Sequence, residues 1–311
     1  MFKLRALLMI ENNLPLKMIK ERAWNGPWLQ LSATVRNYPS MLTLEEKRML
    51  RWLTANYYSG EGIICDLGAF IGGSTVSLAD GLAASGRNDK LIHSYDFFRS
   101  SSRLWEKYMA QSGKPWPENG DVMNEVREML QDYDHLITFY QGDFMQSPVP
   151  EGPIEICFVD ISKTAEINDH LISKYFTKLI PGKSIVVQQD YFHFTPLWDI
   201  VTMEILKDYF TPIGYTEEYS ALFLYTRELD AEGIERAHSR HFTHDQFVSN
   251  IKAASHNWPY AKQKADLYRA LLAVDTAGNV TDKAWQVGHK MKSNGQQAIQ
   301  PDAMYAAFAQ N

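Results

Sequence analysis

The apolar positions along this chain fall into two alternating rhythms. Unbroken short runs at 63–67, 91–96, 136–140, 154–160 and 184–187 read as buried strands, being too short for helices and bounded by glycine or polar turns. Between them, apolar residues recur every three or four positions, as on one face of a helix. Leu50, Leu53 and Tyr57 form one such stripe, and Val76, Ala79 and Leu82 another. Val122, Val126, Met129 and Tyr133 form a third, and Ile167, Leu171, Tyr175 and Leu179 a fourth. Ile200, Val201, Ile205 and Tyr209 form a fifth. Thr43 and Glu46 stand at capping-box spacing before the first stripe, Asp121 is placed to cap the third, and Thr195-Pro196 offers N-cap and N1 chemistry to the fifth. Two last runs, 215–219 and 221–226, read as a closing antiparallel pair. Strands alternating with amphipathic helices predict an α/β fold around a doubly wound, mostly parallel sheet, here of seven strands.

The flanks break the rhythm. In residues 1–42, Trp24 and Trp28 bracket a turn-like Asn25-Gly26-Pro27, and Tyr38-Pro39 adds another break, giving an N-terminal lid or interface segment. Residues 43–228 carry the sheet. Residues 229–311 turn polar and alanine-rich, with a helical pattern at Ala265, Tyr268 or Arg269, and Leu272, and form a helical extension whose tail is loosely ordered. His238, His241 and His244 are spaced three apart, which does not gather all three on one helix face, so they read as a solvated segment. The connection 97–121 is long, with a short helix at Leu104, Trp105 and Tyr108 and a stiff loop Gly113-Lys114-Pro115-Trp116-Pro117. That is the composition of a lid.

Composition narrows the class. A length of 311 residues with 45% hydrophobic and 22% charged content is globular, and a net charge of −6 argues against a nucleic-acid partner. No stretch of ~18 apolar residues spans a membrane, and the patch at 6–10 is too short for a signal peptide. The two cysteines, Cys65 and Cys157, both fall inside strands and read as buried thiols of a cytoplasmic protein.

The chemistry concentrates at strand tips. After the first strand comes Asp66-Leu67-Gly68-Ala69-Phe70-Ile71-Gly72-Gly73-Ser74. Glycines there let backbone approach a ligand, and the helix that follows aims its N-terminus at the same point. Phe70 stands where a dinucleotide fingerprint needs its middle glycine, and no phosphate loop of the G-x-x-x-x-G-K-[ST] kind is present. Asp66 would repel a pyrophosphate but suits the cationic amino group of S-adenosylmethionine. Asp96 ends the second strand, where one carboxylate can accept from both ribose hydroxyls, with Phe97 beside it. After the third strand, Asp143 could accept from an adenine amino group and Phe144 could pack on the ring. Asp160 and Asp190 follow the fourth and fifth strands.

Taken together, these residues resemble class I S-adenosylmethionine-dependent methyltransferases, and among them the macrocin O-methyltransferase group. The likeness rests on Asp66 to Ser74, Tyr95-Asp96-Phe97-Phe98, Gly142-Asp143-Phe144, Val159-Asp160, Pro181-Gly182 and Gln189-Asp190-Tyr191, within roughly half of the chain. It implies a Rossmann-like fold and methylation of a hydroxyl on a small molecule such as a sugar or natural product. The cofactor contacts it implies are Asp66, Gly68, Ala69, Phe70, Gly72, Ser74, Asp96, Phe97, Asp143, Phe144 and Asp160. It also implies a divalent metal, Mg2+, held by Asp160, Gln189 and Asp190. The chain departs from the group there, with Ile161-Ser162 after Asp160 and Gln189 in place of a paired acid.

A hydroxyl must lose a proton to accept a methyl group. His193 is the neutral base nearest the fifth strand, with Asp160 and Asp190 as alternatives. Two rival readings stand beside methyl transfer. One is a cofactor-binding module without catalysis, motivated by the missing acids. The other is a nicotinamide oxidoreductase, against which Phe70 speaks. The N-terminal aromatics and the helical extension supply surfaces for a homodimer.

Overall fold

All five apolar runs anticipated as parallel strands form them. They are β1 (Ile63–Leu67), β2 (Ile92–Asp96), β3 (Ile137–Gln141), β4 (Ile154–Val159) and β5 (Ile185–Gln188). The structure, a computed structural model, describes residues 10–89, 91–117, 119–193, 197–258, 262–264, 267, 270 and 271. β7 (Ala221–Tyr225) runs antiparallel between β5 and the edge strand β6 (Phe210–Tyr215). The sheet order is β3-β2-β1-β4-β5-β7-β6. The chain winds outward from β1 through β2 to β3, then crosses back to β4 and β5 on the other side. The strand tips at this reversal border a crevice, the place where open α/β sheets bind ligands. The architecture is a doubly wound, Rossmann-like α/β fold.

Strand residues alternate between two cores. Ile64, Ile156, Phe158, Ile185, Val187, Leu222 and Leu224 face one, and Cys65, Leu67, Cys157, Val159, Val186, Phe223 and Tyr225 face the other. Both faces are covered, so the strands read as continuous apolar runs. One layer contains α1 (Leu14–Lys20), α2 (Ala33–Asn37), α3 (Leu44–Trp52), α4 (Gly73–Ala84), α5 (Ser102–Met109) and α6 (Met123–Met129). The other contains α7 (Ala165–His170), α8 (Leu197–Ile205), α9 (Ala231–Arg236) and α10 (His244–Ser255). The capping box at Thr43 and Glu46 forms as its spacing predicts, and α3 continues into one π-helical turn, Leu53–Tyr57. Asp121 acts one residue early. It accepts from Met123 N at 3.0 Å, while Val122 stands at the cap.

The closing strands differ from the expectation. β6 occupies Phe210–Tyr215, and the 216–220 stretch is the turn into β7, with Thr216 N donating to Ser220 O at 2.9 Å. The strand expected at 215–219 thus lies five residues earlier, across Pro212 and Gly214. At a sheet edge the missing Pro212 N–H costs no ladder bond, and the register shifts between these two residues.

The N-terminal segment packs into the first core through Leu16, Ile19, Trp24, Val35 and Tyr38, with Trp24 edge-on to Trp52 at 6.3 Å. On the other side α10 lies on α8, and Trp258 inserts beside Tyr191 and Phe192. The expected helix stripe at Ala265, Tyr268, Arg269 and Leu272, the Thr195-Pro196 cap and the 303–311 tail lie outside the described residues. Among the described residues no helix is long and apolar enough to cross a membrane.

Before β1, the buried Glu155 on β4 gathers the turn at 59–62. Its carboxylate accepts from the backbone N–H groups of Ser59 (2.6 Å), Gly60 (3.0 Å), Glu61 (2.8 Å) and Gly62 (3.3 Å). This fixes where β1 enters the sheet and so where its far end emerges.

Candidate functional site

Residues Gly68, Phe70 and Gly72 take φ of +98°, +51° and +91°, and α4 begins directly after them. A Cβ on Gly68 would lie 2.6 Å from the Asp160 carbonyl oxygen, so only glycine lets this loop rest on the end of β4. Gly68 N and Ala69 N both donate to Tyr95 O, at 2.9 and 3.2 Å, and Gly72 N donates to Ala69 O at 2.8 Å. Phe70 is left-handed without being glycine, a strain of order 1 kcal/mol that needs support. The support is Asp96, whose Oδ2 accepts from Phe70 N at 2.9 Å while Oδ1 accepts from Phe98 N at 2.8 Å. Each carboxylate oxygen retains a lone pair for a further donor. Burial pushes the Asp96 carboxyl above its ordinary value, against the backbone N–H groups of Phe70, Phe98 and Phe97. Phe97 beside it is 56% exposed.

Asp66 is wholly buried. Its Oδ2 accepts from Thr75 Oγ1 at 2.5 Å, and that hydroxyl lies 3.1 Å from Ser94 Oγ. Its Oδ1 has no partner among the described residues. Burial pushes the carboxyl up to about 6, the charge of Asp96 adds to the shift, and the hydroxyls of Thr75, Ser74 and Ser94 oppose it. An orphaned carboxylate oxygen beneath a glycine loop is costly in isolation and is suited to a cation brought in by a ligand. Ser74 is buried in the first turn of α4.

The third strand delivers its two residues differently. Asp143 is exposed, and its Oδ1 accepts from Met145 N at 3.0 Å, capping the short turn Phe144–Gln146. Phe144 corrects the expectation. It is 2% exposed, stacked on Tyr175 at 4.9 Å and edge-on to Tyr95 and His170. Neighbouring rings hold it in the core, so it anchors the turn and offers no face to an adenine.

The acids after β4 and β5 do come together, around a cation the sequence reading passed over. Lys163 Nζ lies 2.8 Å from Asp160 Oδ1 and 2.6 Å from Asp190 Oδ2. Partial desolvation works against the ammonium, but the charges of Asp160, Asp190 and Asp199 more than offset it and hold Lys163 above the usual lysine range. Burial pushes the Asp160 carboxyl up, Lys163 pulls it down, and Asp190 and Glu46 add to the rise. Asp199 on α8 is pushed up to about 7 by burial, with Lys163 and the Ser162 hydroxyl opposing. The buried Glu46 also faces this edge, its Oε1 accepting from Ser220 Oγ at 2.7 Å. His193 sits on the same turn as Asp190, donating its N–H to Asp190 O at 2.8 Å, with its ring edge-on to Tyr219 at 5.6 Å.

The donor set expected for magnesium is not assembled. Such an ion needs several oxygens turned toward it, and here the ammonium of Lys163 stands between the two carboxylates. Gln189 is buried, its backbone N–H given to Val159 O at 2.9 Å. Among the described residues no three His, Cys, Asp or Glu side chains gather as a ligand set. His238 instead pairs with Asp169 at 3.1 Å and His241 with Glu235 at 2.7 Å.

The N-terminal segment lies over the loop. Tyr38 Oη donates to Ile71 O at 2.9 Å, and the buried Lys47 holds the segment by donating to Val35 O (3.0 Å) and Tyr38 O (2.7 Å). Ser40, Met41 and Leu42 enclose a cavity of only about 20 Å³ with Gly68, Ala69, Phe70 and Asp160, room for roughly one water.

No protein-family profile matches the chain, and no curated protein sequence matches it. Solved structures do. The O-methyltransferase NovP aligns at 17% identity with a TM-score of 0.45, over 73% of this chain and all of that one. An O-methyltransferase from Bacillus cereus in complex with SAH aligns at 14% identity with a TM-score of 0.33, over 78% of this chain and 80% of that one. A coclaurine N-methyltransferase bound to N-methylheliamine and SAH aligns at 10% identity with a TM-score of 0.30, over 93% of this chain and 83% of that one. At such identities a likeness concerns fold alone, and the fold here stands on the strand order itself.

Proposed function

We propose that this chain is an enzyme that transfers the methyl group of S-adenosylmethionine to a hydroxyl of a small molecule, such as a sugar or natural product. One observation carries the reading. The acid at the tip of β2 reaches back to Phe70 N inside the glycine loop, so the ribose-type carboxylate and the loop form one braced unit. Asp66 would meet the cofactor's amino group, Gly68, Ala69, Phe70, Gly72 and Ser74 would line its methionine portion, and Asp96 with Phe97 would meet the ribose. The exposed Asp143 would accept from the adenine amino group. When bound, the cofactor supplies an electrophilic sulfonium methyl, and the S–CH3 bond breaks toward sulfur as the O–CH3 bond forms.

The chain's own task is alignment, exclusion of water and removal of the hydroxyl proton. His193 takes that proton in this reading, because it shares the Asp190 turn at the end of β5. Asp160 and Asp190 are engaged by Lys163 and so are less suited to the task. The 38–42 segment lies over the loop and leaves little room beside Gly68, Ala69 and Phe70, so in this reading it moves aside as the cofactor enters. That makes the N-terminal segment a lid. The long 97–121 connection borders the same edge through Asp96 and would close over the acceptor.

Leu14 and Trp28 are exposed on the N-terminal segment and support its second role, as a homodimer contact. Cys65 and Cys157 are buried free thiols at partner positions of β1 and β4, which fits a reducing cytoplasm.

The test is a screen of sugar, phenol and amine acceptors with methyl-labelled S-adenosylmethionine, read by mass spectrometry. Label on a hydroxyl of one acceptor class supports the proposal. Label only on amines would overturn the hydroxyl assignment, and firm cofactor binding with no transfer to any acceptor would favour the non-catalytic module.

A further inference from the structure

Two carboxylates at neighbouring strand tips repel one another unless a cation lies between them. The resemblance drawn from the sequence implies a divalent metal at this place. Here the chain provides its own. The Lys163 ammonium bridges Asp160 and Asp190 at 2.8 and 2.6 Å, and these are its hydrogen bonds among the described residues. The bridge is partly accessible: the Lys163 side chain is 39% exposed and each carboxylate 24%.

We propose that Lys163 is the resident cation of this edge, occupying the place of a divalent metal and making the methyl transfer proposed above independent of one. The inference rests on that reading for its reaction, but its geometry stands separately. An ammonium has three N–H donors, and two are given to the carboxylates. The third remains to meet an acceptor oxygen, as a metal would, and a positive charge there favours the oxygen as its proton departs. A divalent ion could enter only by displacing Lys163, since two like charges within a few ångströms repel strongly where water is partly excluded. The missing acid neighbours at Ile161, Ser162 and Gln189 then follow. A monovalent cation needs fewer negative partners than a divalent one, and two carboxylates already overbalance it.

The experiment uses the full chain and Mn2+ alone as the probe, read by electron paramagnetic resonance. Wild type, Lys163→Met and Lys163→Gln are titrated, with Asp160→Asn combined with Lys163→Met as the control. Removing the ammonium while keeping both carboxylates should tighten Mn2+ binding at least tenfold in both single variants, and the added Asp160→Asn should abolish the gain. Equal Mn2+ affinity in wild type and both single variants, whether tight or absent, overturns the proposal. So does a wild-type methyl transfer that stops in chelator and returns with Mg2+. Calorimetric binding of S-adenosylhomocysteine to the same proteins separates the two readings. Its loss in wild type defeats the proposed function, whereas its retention beside an unchanged Mn2+ affinity defeats only the role of Lys163.

Discussion

The buried Asp66 links cofactor binding to pH in a way that can be worked through. In the unfolded chain an aspartate loses its proton near 3.9. In the folded chain burial holds that proton until about 6. Between those values the folded state binds more protons than the unfolded state, so stability declines as pH rises through this window. Two pK units correspond to a destabilisation of about 3 kcal/mol, nearly absent at pH 4 and fully present above about pH 7. Asp66→Asn should therefore stabilise the ligand-free protein at pH 7.5 by up to about 3 kcal/mol in urea unfolding and change little at pH 4. The same carboxylate is the proposed partner of the cofactor's ammonium, which stays protonated below pH 7. If only the ionised form binds, about a tenth of the protein is competent at pH 5, and affinity for S-adenosylmethionine falls about tenfold between pH 7.5 and pH 5. Calorimetry at pH 5.5 in buffers of different ionisation enthalpy should register release of most of one proton on binding. Asp96 is also raised by burial and could contribute a similar slope, so the variant is the control. An affinity that is flat from pH 5 to 7.5, or a slope that Asp66→Asn retains, would refute the assignment of Asp66 to the cofactor.

Other predictions address the scaffold and the base. Gly68→Ala places a Cβ 2.6 Å from Asp160 O at φ +98°, so it should cost roughly 2 kcal/mol in urea unfolding and at least tenfold in cofactor affinity. Normal affinity in that variant would mean the loop is not the binding surface. Glu155→Ala orphans four backbone N–H groups in the turn before β1 and should lower stability by about 3 kcal/mol, with Glu155→Gln losing less. A loss below half a kcal/mol would show that water replaces the carboxylate. His193→Ala should lower kcat by about a hundredfold with cofactor affinity unchanged. Full turnover would move the base elsewhere.

Most of the sheet was legible because its strands are buried on both faces. Such strands leave unbroken apolar runs, and the helices between them keep one apolar stripe. β6 escaped because an edge strand tolerates Pro212, which a central strand would not. The cofactor side of the site was legible for a related reason. Strand tips in a doubly wound sheet converge, so Asp66, Asp96, Asp160 and Asp190 could be placed from the order of elements alone. What the elements do not encode is which tip residue turns into the crevice and which turns into the core. Phe144 had the composition of a ligand face but lies among Tyr95, His170 and Tyr175. Lys163 was overlooked because attention to missing acids hides a base three residues after Asp160. That spacing in a loop was the signal, since a lysine's length brings its ammonium back to the strand tip. Glu155 sits in an apolar strand as a lone charge, which by itself announces a buried partner. Nothing in its neighbours shows that the partner is the backbone of 59–62.

The central claim is that the loop from Asp66 to Ser74 holds S-adenosylmethionine. Equilibrium dialysis of the folded full chain against labelled S-adenosylmethionine tests it most directly, with circular dichroism run alongside. One equivalent retained per chain, displaced by S-adenosylhomocysteine and lost in Gly68→Val, is the predicted result. No label retained at saturating concentration by well-folded protein would contradict the account.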